Sequence, residues 1–366
     1  MLLLKPGMSR AFRITALAVT FLVGCGGPTA SPSAPPSPAT AKTLVGIWQS
    51  GSATRGPVGT ADSVAFVERN GVNAEYFALE WRQVEQSPAS YDFSDLDFDL
   101  ALLGPHPNMK FVLLVKTIDL DKRTMPADLS ALPLDDPAVV SRFGALLDAI
   151  ATHLSAAQAA PSHVLIDNEV SSYLVSHRSE IAAWKTLYDS GIDRLHTSLP
   201  GVKVGTVFTF ASAKQEPDLL RRANANSDFI DYTYYPVDFG SWLVTPLSIV
   251  TQDLTLMADL ADGRPFSFTE IGYSSSARSG SSDQLQADFV AEMFQVLESY
   301  RSSDRMSFLI FVGLAYNAPN PLPPPPNPDD AMQDFYNYLG ITNGNDTSAP
   351  SLGWPAFVTG ASAWTK

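Results

Sequence analysis

The chain has 366 residues, of which 45% are hydrophobic and 17% are charged, and its formal net charge is −14 at pH 7. The apolar fraction excludes a disordered chain, and the length allows one large domain or two ordinary ones. The acidic balance argues against nucleic acid as a partner, because phosphate binding needs clustered Lys and Arg. The single cysteine excludes an internal disulfide framework and a zinc site built from cysteines.

Residues 1–24 have the pattern of a bacterial export signal. Basic residues and no acidic residue precede the apolar run Ile14–Val23, which is too short to span a membrane. The run ends in Leu22-Val23-Gly24-Cys25, which resembles a lipobox and predicts Cys25 as the lipid-modified first residue of the mature protein. The alternative is an ordinary signal peptide with an incidental buried cysteine.

Residues 25–42 are rich in proline, serine and alanine. Such a composition cannot bury a core and predicts an extended tether. Residues 43–366 would then form one folded domain. We therefore expect a protein of the cell envelope that is anchored to a membrane through Cys25, at the outer membrane or the cell surface.

Short apolar, β-prone runs alternate with segments of helical period from residue 43 onward. The runs are Leu44–Trp48, Ala74–Leu79, Phe111–Val115, Val164–Ile166, Val202–Phe208, Phe229–Tyr234, Phe266–Thr269 and Phe308–Val312. The helical segments are Ala61–Asn70, Pro137–Leu154 with Asp136 as N-cap, Ser179–Leu199, Leu247–Leu260 and Asp283–Tyr300. Continuous apolar runs are typical of parallel strands covered on both faces. Eight such units predict an α/β fold, a (β/α)8 TIM barrel, with a doubly wound open sheet as the alternative.

Functional side chains of a barrel lie where its strands end. The predicted strand ends carry, in order, Trp48, Glu80-Trp81-Arg82, Lys116, Asn168-Glu169, Thr209, Tyr234-Tyr235, Glu270 and Tyr316-Asn317. Two glutamates from different strands suit the cleavage of a glycosidic bond. One protonates the departing oxygen, while the other attacks the anomeric carbon or activates water. An Asn-Glu pair alone is more often a capped helix start, but Glu169 and Glu270 each follow a predicted strand directly.

These motifs resemble the glycoside hydrolase superfamily of (β/α)8 barrels with catalytic glutamates at strands 4 and 7. The resemblance covers about residues 43–340 and is strongest to the endo-β-1,4-galactanase and related endo-glycanase branches. Four segments carry it: Asn168-Glu169, Thr269-Glu270-Ile271-Gly272-Tyr273, Thr233-Tyr234-Tyr235-Pro236, and Trp81 to Glu85 with Tyr91 to Asp97.

The resemblance implies a retaining, double-displacement hydrolase of a polysaccharide or oligosaccharide, with no cofactor and no metal. It makes Glu169 the general acid/base and Glu270 the nucleophile. The substrate-binding residues that it implies are Asn168 on a sugar 2-hydroxyl, Tyr234 beside the nucleophile, and Trp81, Arg82, Trp48 and Tyr316. Arg82 stands in for an arginine that the superfamily commonly has at strand 2. Tyr316 stands in for a tryptophan near the end of strand 8.

The competing interpretation is a surface lipoprotein that binds glycans without cleaving them. The missing arginine and tryptophan favour it, whereas the retention of both glutamates argues against it. The five histidines show no paired metal-ligand spacing, and no Gly-x-Ser-x-Gly motif is present. We expect a monomer. The pattern indicates neither the sugar and linkage nor endo or exo action.

Overall fold

The computed structural model describes residues 43–48, 61–314, 329–342 and 351–365. The predicted signal and tether, Cys25 and Tyr316 lie outside the described residues. Within those residues, no helix has both the length and the apolar character that a membrane span requires.

Nine parallel strand segments of the described residues form one sheet that curves into a nearly closed barrel. The strands are β1 (Leu44–Ile47), β2 (Ala74–Glu80), β3 (Lys110–Asp119), β4 (His163–Asn168), β5 (Lys203–Gly205 and Val207–Thr209), β6 (Ile230–Tyr234), β7 (Phe266–Ile271) and β8 (Met306–Phe311). The two segments of β5 are separated by Thr206, and they pair with β4 and β6 respectively. Because β1 also pairs with β8, the two segments of β5 stand at the two ends of the strand order. The sheet is therefore a nearly closed barrel, and the prediction is confirmed.

Helices follow the strands, and the long ones cover the outside of the barrel. They are α1 (Ala61–Arg69), α2 (Trp81–Val84), α3 (Ser94–Leu103), α4 (Pro137–Ala156), α5 (Val170–Ser176), α6 (Ile181–Ser198), α7 (Phe210–Gln215), α8 (Pro217–Ala223), α9 (Leu247–Leu260), α10 (Asp283–Ser302), α11 (Asp329–Asn337) and α12 (Gly353–Thr365). As predicted, Asp136 caps α4 by accepting a hydrogen bond from the Ala138 N–H at 2.8 Å. Short antiparallel hairpins extend the loops at Glu85–Tyr91 and Val237–Val244.

Side chains alternate between the two faces of the barrel wall. On β2, Phe77 and Leu79 belong to the large apolar cluster between the strands and the helices. Tyr76, by contrast, belongs to a second cluster that also holds apolar side chains of β1, β3, β4, β5 and β8 and so fills the interior. His163 lies in this interior, and burial lowers its pKa to about 4, so the ring is neutral. The lower barrel is thus closed by apolar packing, and the polar site lies at the carboxyl ends of the strands.

Candidate active site

Glu270 faces the interior because a β-bulge shifts the alternation of β7. On β6, Asp231 and Thr233 are two residues apart, but their partners on β7, Ser267 and Glu270, are three apart. Thr269 is therefore the extra residue of the bulge. Strict alternation would turn Glu270 toward the helices, whereas the bulge gives it the direction of Thr233.

Glu169 reaches the same space through two left-handed residues at the end of β4. Asp167 has a φ of 69° and Glu169 a φ of 44°, values that are uncommon outside glycine. Asp167 is fully buried. Its carboxylate accepts hydrogen bonds from the N–H groups of Thr117 and Ile118 at 2.7 and 2.8 Å and from the Trp184 indole at 2.8 Å. These bonds tie the turn to β3 and α6, so the direction of Glu169 is held by its neighbours.

The two glutamates influence each other's ionisation. Burial and the negative charge of Glu169 raise the pKa of Glu270, while the Tyr235 hydroxyl opposes the rise. Burial also raises the pKa of Glu169, together with the charge of Asp119, while the Thr233 hydroxyl opposes that rise. Because the charge of an ionised Glu169 disfavours loss of the Glu270 proton, the two carboxyl groups are less readily ionised together than one of them alone.

Tyr235, the second tyrosine of the strand-6 motif, contacts Glu270. Its hydroxyl donates to Glu270 Oε2 at 2.7 Å. The Tyr234 hydroxyl donates instead to Asp253 Oδ2 of α9 at 3.0 Å. The prediction that Tyr234 lies beside the nucleophile is therefore wrong. Alternation along β6, with Thr233 facing inward, is the signal that would have identified Tyr235.

Asp119, the last residue of β3, is a third carboxylate beside the pair. Lys116 Nζ lies 2.7 Å from its Oδ2, and Asn168 Nδ2 donates to its Oδ1 at 3.0 Å. Because an ionised carboxylate only accepts hydrogen bonds, this contact determines which way the Asn168 amide faces. Asn168 Oδ1 is left buried and, among the described residues, without a hydrogen-bond partner. The predicted residue Asn168 is thus held beside Asp119 at the end of β4.

Trp48 lies at the mouth of the barrel, but Trp81 does not. The Trp48 ring stacks on Tyr76 with centroids 5.9 Å apart, and its Nε1 donates to the Thr269 carbonyl at 3.2 Å. Trp81 is fully buried, and its Nε1 donates to the Glu85 carboxylate at 2.7 Å. It continues the outward-facing set of β2 and packs beneath the helices. The prediction that Trp81 binds substrate is wrong for this reason.

Arg82 lies at the rim with a side chain that is 57% exposed. Its guanidinium bonds to Glu80, and Glu80 also lies 3.9 Å from Lys116 Nζ. Arg82 therefore neutralises a rim carboxylate, and its role in substrate binding stays a prediction. Among the described residues, Lys116 on the inward face of β3 is a cation that contacts the inner carboxylate of Asp119.

Tyr336 of α11 lies over the site, although no strand end or motif indicated it. Burial and the charges of Glu169 and Glu270 raise the pKa of Tyr336 to about 12. Its ring centroid is 6.0 Å from that of Tyr235. The helix that carries Tyr336 comes after the last barrel strand, so only the folding of the chain back over the mouth brings this ring to the glutamates.

Asp231 lies deeper in the barrel and is fully buried. Hydroxyls of Ser267 and Thr269 each donate to it at 2.6 Å, and burial raises its pKa to about 7. Although several carboxylates meet here, no group of His, Cys, Asp and Glu side chains in the described part of the chain could hold a metal ion.

Comparison with known proteins rests on structure. No protein-family model matches the sequence, and no curated protein matches it. The exo-β-1,4-mannosidase Op5Man5 from Opitutaceae bacterium strain TAV5 superposes with a TM-score of 0.64 at 17% identity, over 88% of this chain and 60% of the mannosidase. The GH53 catalytic domain of Ignisphaera aggregans gives 0.59 at 16% identity, over 87% and 91% of the two chains. Xylanase10C from Cellvibrio japonicus, solved in complex with xylopentaose, gives 0.63 at 10% identity, over 88% and 68%.

These matches identify the fold. The chain has the (β/α)8 barrel fold, which it shares with these three structures. The resemblance that the strand-end motifs indicated is thereby confirmed at the level of the fold. The chain spans 60% of the length of the mannosidase, so that protein contains a further portion that this comparison does not cover.

We expect Glu270→Gln to raise the free energy of unfolding by an amount that grows with pH. The raised pKa of Glu270 means that the folded protein keeps a proton that the unfolded chain has lost. The wild type therefore loses stability as pH rises from the ordinary glutamate pKa through the raised one, by at most about 1.4 kcal/mol per pH unit for one proton. The glutamine variant lacks this loss. Denaturant unfolding between about pH 5 and 9 measures it.

The matched control is Glu292→Gln. Glu292 is a glutamate on α10 that accepts a hydrogen bond from Thr251 on the protein surface, so this variant makes the same chemical change away from the buried pair. Comparing each variant with the wild type at the same pH also removes most of the contribution of Asp231. A gain for Glu270→Gln that is independent of pH would contradict the electrostatic explanation.

Proposed function

We propose that the chain is a retaining glycoside hydrolase that cleaves β-glycosidic bonds of a polysaccharide or oligosaccharide. The observation that carries the proposal is the meeting of Glu169 and Glu270, from the ends of β4 and β7, with the charge of one raising the pKa of the other. Two carboxyl groups that share a proton supply an acid and a nucleophile at once. The glycoside hydrolase fold of the chain supports this assignment.

Glu270 is the nucleophile in this proposal. The Tyr235 hydroxyl donates to it and favours its ionised form. In the reactive form of the pair the proton is on Glu169, and the charge of Glu169 that raises the pKa of Glu270 is then absent. Glu270 attacks the anomeric carbon while the bond to the leaving oxygen breaks and Glu169 protonates that oxygen. Glu169 then takes a proton from water, whose oxygen attacks the same carbon and frees Glu270. Two inversions give net retention.

Asn168 and Trp48 are the proposed contacts to the sugar in the reacting position. The Asn168 Oδ1 atom is buried and lacks a partner among the described residues, so a sugar hydroxyl that donates to it would relieve an unsatisfied acceptor. Trp48 is only partly buried and offers an aromatic face beside β7. The xylopentaose complex of the similar xylanase fold supports a chain of sugars as the substrate.

Glu270→Gln is expected to abolish turnover, because an amide cannot form the glycosyl-enzyme. The soluble domain, from about residue 41, is incubated with β-galactan, mannan, glucan and xylan, and products are analysed for released sugar and for the anomer first formed. Glu292→Gln serves as the folded control with full activity expected. Full residual activity of Glu270→Gln would refute the assignment, and binding without release by the wild type would establish the glycan-binding alternative.

Asp119→Asn is expected to move the alkaline limb of the pH–rate profile to lower pH. The charge of Asp119 raises the pKa of Glu169, so its removal lets Glu169 lose its catalytic proton at lower pH. Asp121→Asn, an exposed neighbour two residues away, is the control and should leave the limb in place. An unchanged limb in Asp119→Asn would show that Asp119 does not tune the acid.

We also propose that the mature protein is held in the cell envelope by a lipid on Cys25. The support is the position of the only cysteine at the end of a signal-like segment. Cys25→Ser should remove incorporation of labelled fatty acid and shift the protein from the membrane to the soluble fraction, with the folded domain unchanged. Membrane association that survives this substitution would contradict the anchor.

A further inference from the structure

Asp231 is a carboxylate of β6 that the proposed mechanism does not use. It is fully buried, and so are Ser267 and Thr269, the two β7 residues that donate to it. The donors are their hydroxyls, at 2.6 Å each, and the Thr269 N–H at 3.3 Å. A buried carboxylate is unfavourable unless hydrogen bonds compensate for the loss of water. These bonds connect β6 to the stretch of β7 just before Glu270.

The stretch that Asp231 binds is the bulge of β7. The ladder to β6 passes from Phe268 to Glu270 and skips Thr269. A bulge leaves its extra residue unpaired, and a buried backbone group without a partner costs free energy. The Thr269 N–H donates to Asp231 Oδ2 at 3.3 Å, and the Thr269 carbonyl accepts from Trp48 Nε1 at 3.2 Å. Two side chains thus replace the partners that a regular ladder would supply.

The bulge makes two consecutive side chains face the barrel interior. Phe268 and Ile271, on either side, belong to the apolar cluster between the strands and the helices. Thr269 bonds to Asp231 inside the barrel, and Glu270 follows in the same direction. Without the bulge, strict alternation would leave Thr269 inward and turn Glu270 outward. The contacts that satisfy the Thr269 backbone therefore determine the direction of Glu270.

We propose that Asp231 is a positioning residue, which holds the bulge at Thr269 together with the Trp48 indole and so directs the Glu270 carboxylate toward Glu169. The inference rests on the proposed function, in which Glu270 attacks the anomeric carbon, and it adds the residue that keeps this nucleophile in place. Asp231 acts through Thr269 and does not contact the substrate. A misplacement of about 1 Å in a reacting group can lower a rate on the order of 100-fold.

The charge of Asp231 also acts on Glu270, so the variants that are compared must lack it equally. The pKa of Glu270 is raised by the charges of Glu169, Asp231 and Asp119 and lowered by the Tyr235 hydroxyl, and Tyr76 and Tyr336 are phenols that feel the charge of Glu270. Asp231→Asn and Asp231→Leu both remove the charge and keep the branched shape. Only asparagine keeps an oxygen that accepts from Thr269.

The kinetic test uses the polysaccharide that the wild type hydrolyses fastest. Asp231→Leu is expected to lower kcat at least about tenfold and to change KM less than about twofold, because the nucleophile is displaced while the contacts to the sugar remain. Asp231→Asn should keep kcat within about threefold of the wild type, because the bulge is still held. Equal losses in the two variants, or a wild-type kcat in Asp231→Leu, would overturn the proposal.

NMR of ¹³C-labelled glutamate carboxyl groups tests the position of Glu270 without substrate. The Glu270 signal is assigned by its loss in Glu270→Gln, and its titration midpoint is measured with and without Glu169→Gln. Because the charge of Glu169 raises the pKa of Glu270, Glu169→Gln should lower the midpoint in the wild type and in Asp231→Asn. In Asp231→Leu this effect should fall to less than about half, since Coulomb interactions weaken with distance. An effect of full size there would overturn the proposal.

Trp48→Phe is the second variant, which carries the test if Asp231→Leu does not fold. It keeps an aromatic ring at the mouth of the barrel and removes the N–H that bonds to Thr269. Because Trp48 is also a proposed sugar contact, this variant is measured by the titration alone. A smaller effect of Glu169→Gln than in the wild type is expected, and an equal effect would overturn the proposal. If the wild type hydrolyses no glycoside, the proposed function fails, whereas the titration still decides whether Asp231 and Trp48 position Glu270.

Discussion

Repulsion between the carboxylates of Glu169 and Glu270, which lie in one partly buried site, is the interaction that the backbone at the ends of β4 and β7 has to overcome. Burial and the charge of Glu169 disfavour an ionised Glu270. Without a constraint from the backbone, the side chains of Glu169 and Glu270 would therefore move apart or turn toward solvent. The bulge at Thr269 and the left-handed Asp167 and Glu169 remove that freedom. Strained backbone of this kind costs on the order of 1–3 kcal/mol per residue and persists only where neighbours enforce it. The donors that surround Asp167 supply that enforcement.

The site has two flanks of different character. On the side of β2 to β4, charged groups form a connected series from Glu80 through Lys116 and Asp119 to the Asn168 amide. Over β5 and β6, by contrast, a cavity of about 810 Å³ is lined by both aromatic and polar side chains. Glu169 belongs to the wall of this cavity, and the charge of Asp119 on the other flank raises its pKa.

Local sequence was sufficient to predict the barrel and to place Glu169 and Glu270 at the ends of two of its strands. Parallel strands that are covered on both faces are apolar along most of their length. Each of the eight strands therefore corresponds to a continuous apolar run in the sequence. A helix cap such as Asp136 depends only on residues within one turn, so it could also be predicted from the sequence. Glu169 and Glu270 were found because strand ends are visible in the sequence and because carboxylates at such ends are chemically distinctive.

Tertiary structure decided most of the contacts that those two glutamates make. The bulge at Thr269 turns Glu270 inward, and no local sequence signal marks it. Alternation along β6 from Thr233 puts Tyr235 on the same inward face, but only the structure shows that Thr233 faces inward. Trp81 is a core residue because it continues the outward-facing alternation of Phe77 and Leu79 on β2 and packs beneath the helices. Tyr336 lies at the site because α11, which follows the last barrel strand, folds back over the mouth of the barrel. Sequence by itself therefore determined the fold and the pair of glutamates, since strand periodicity is local. The partners of that pair required the structure, because contacts between distant segments depend on register and packing.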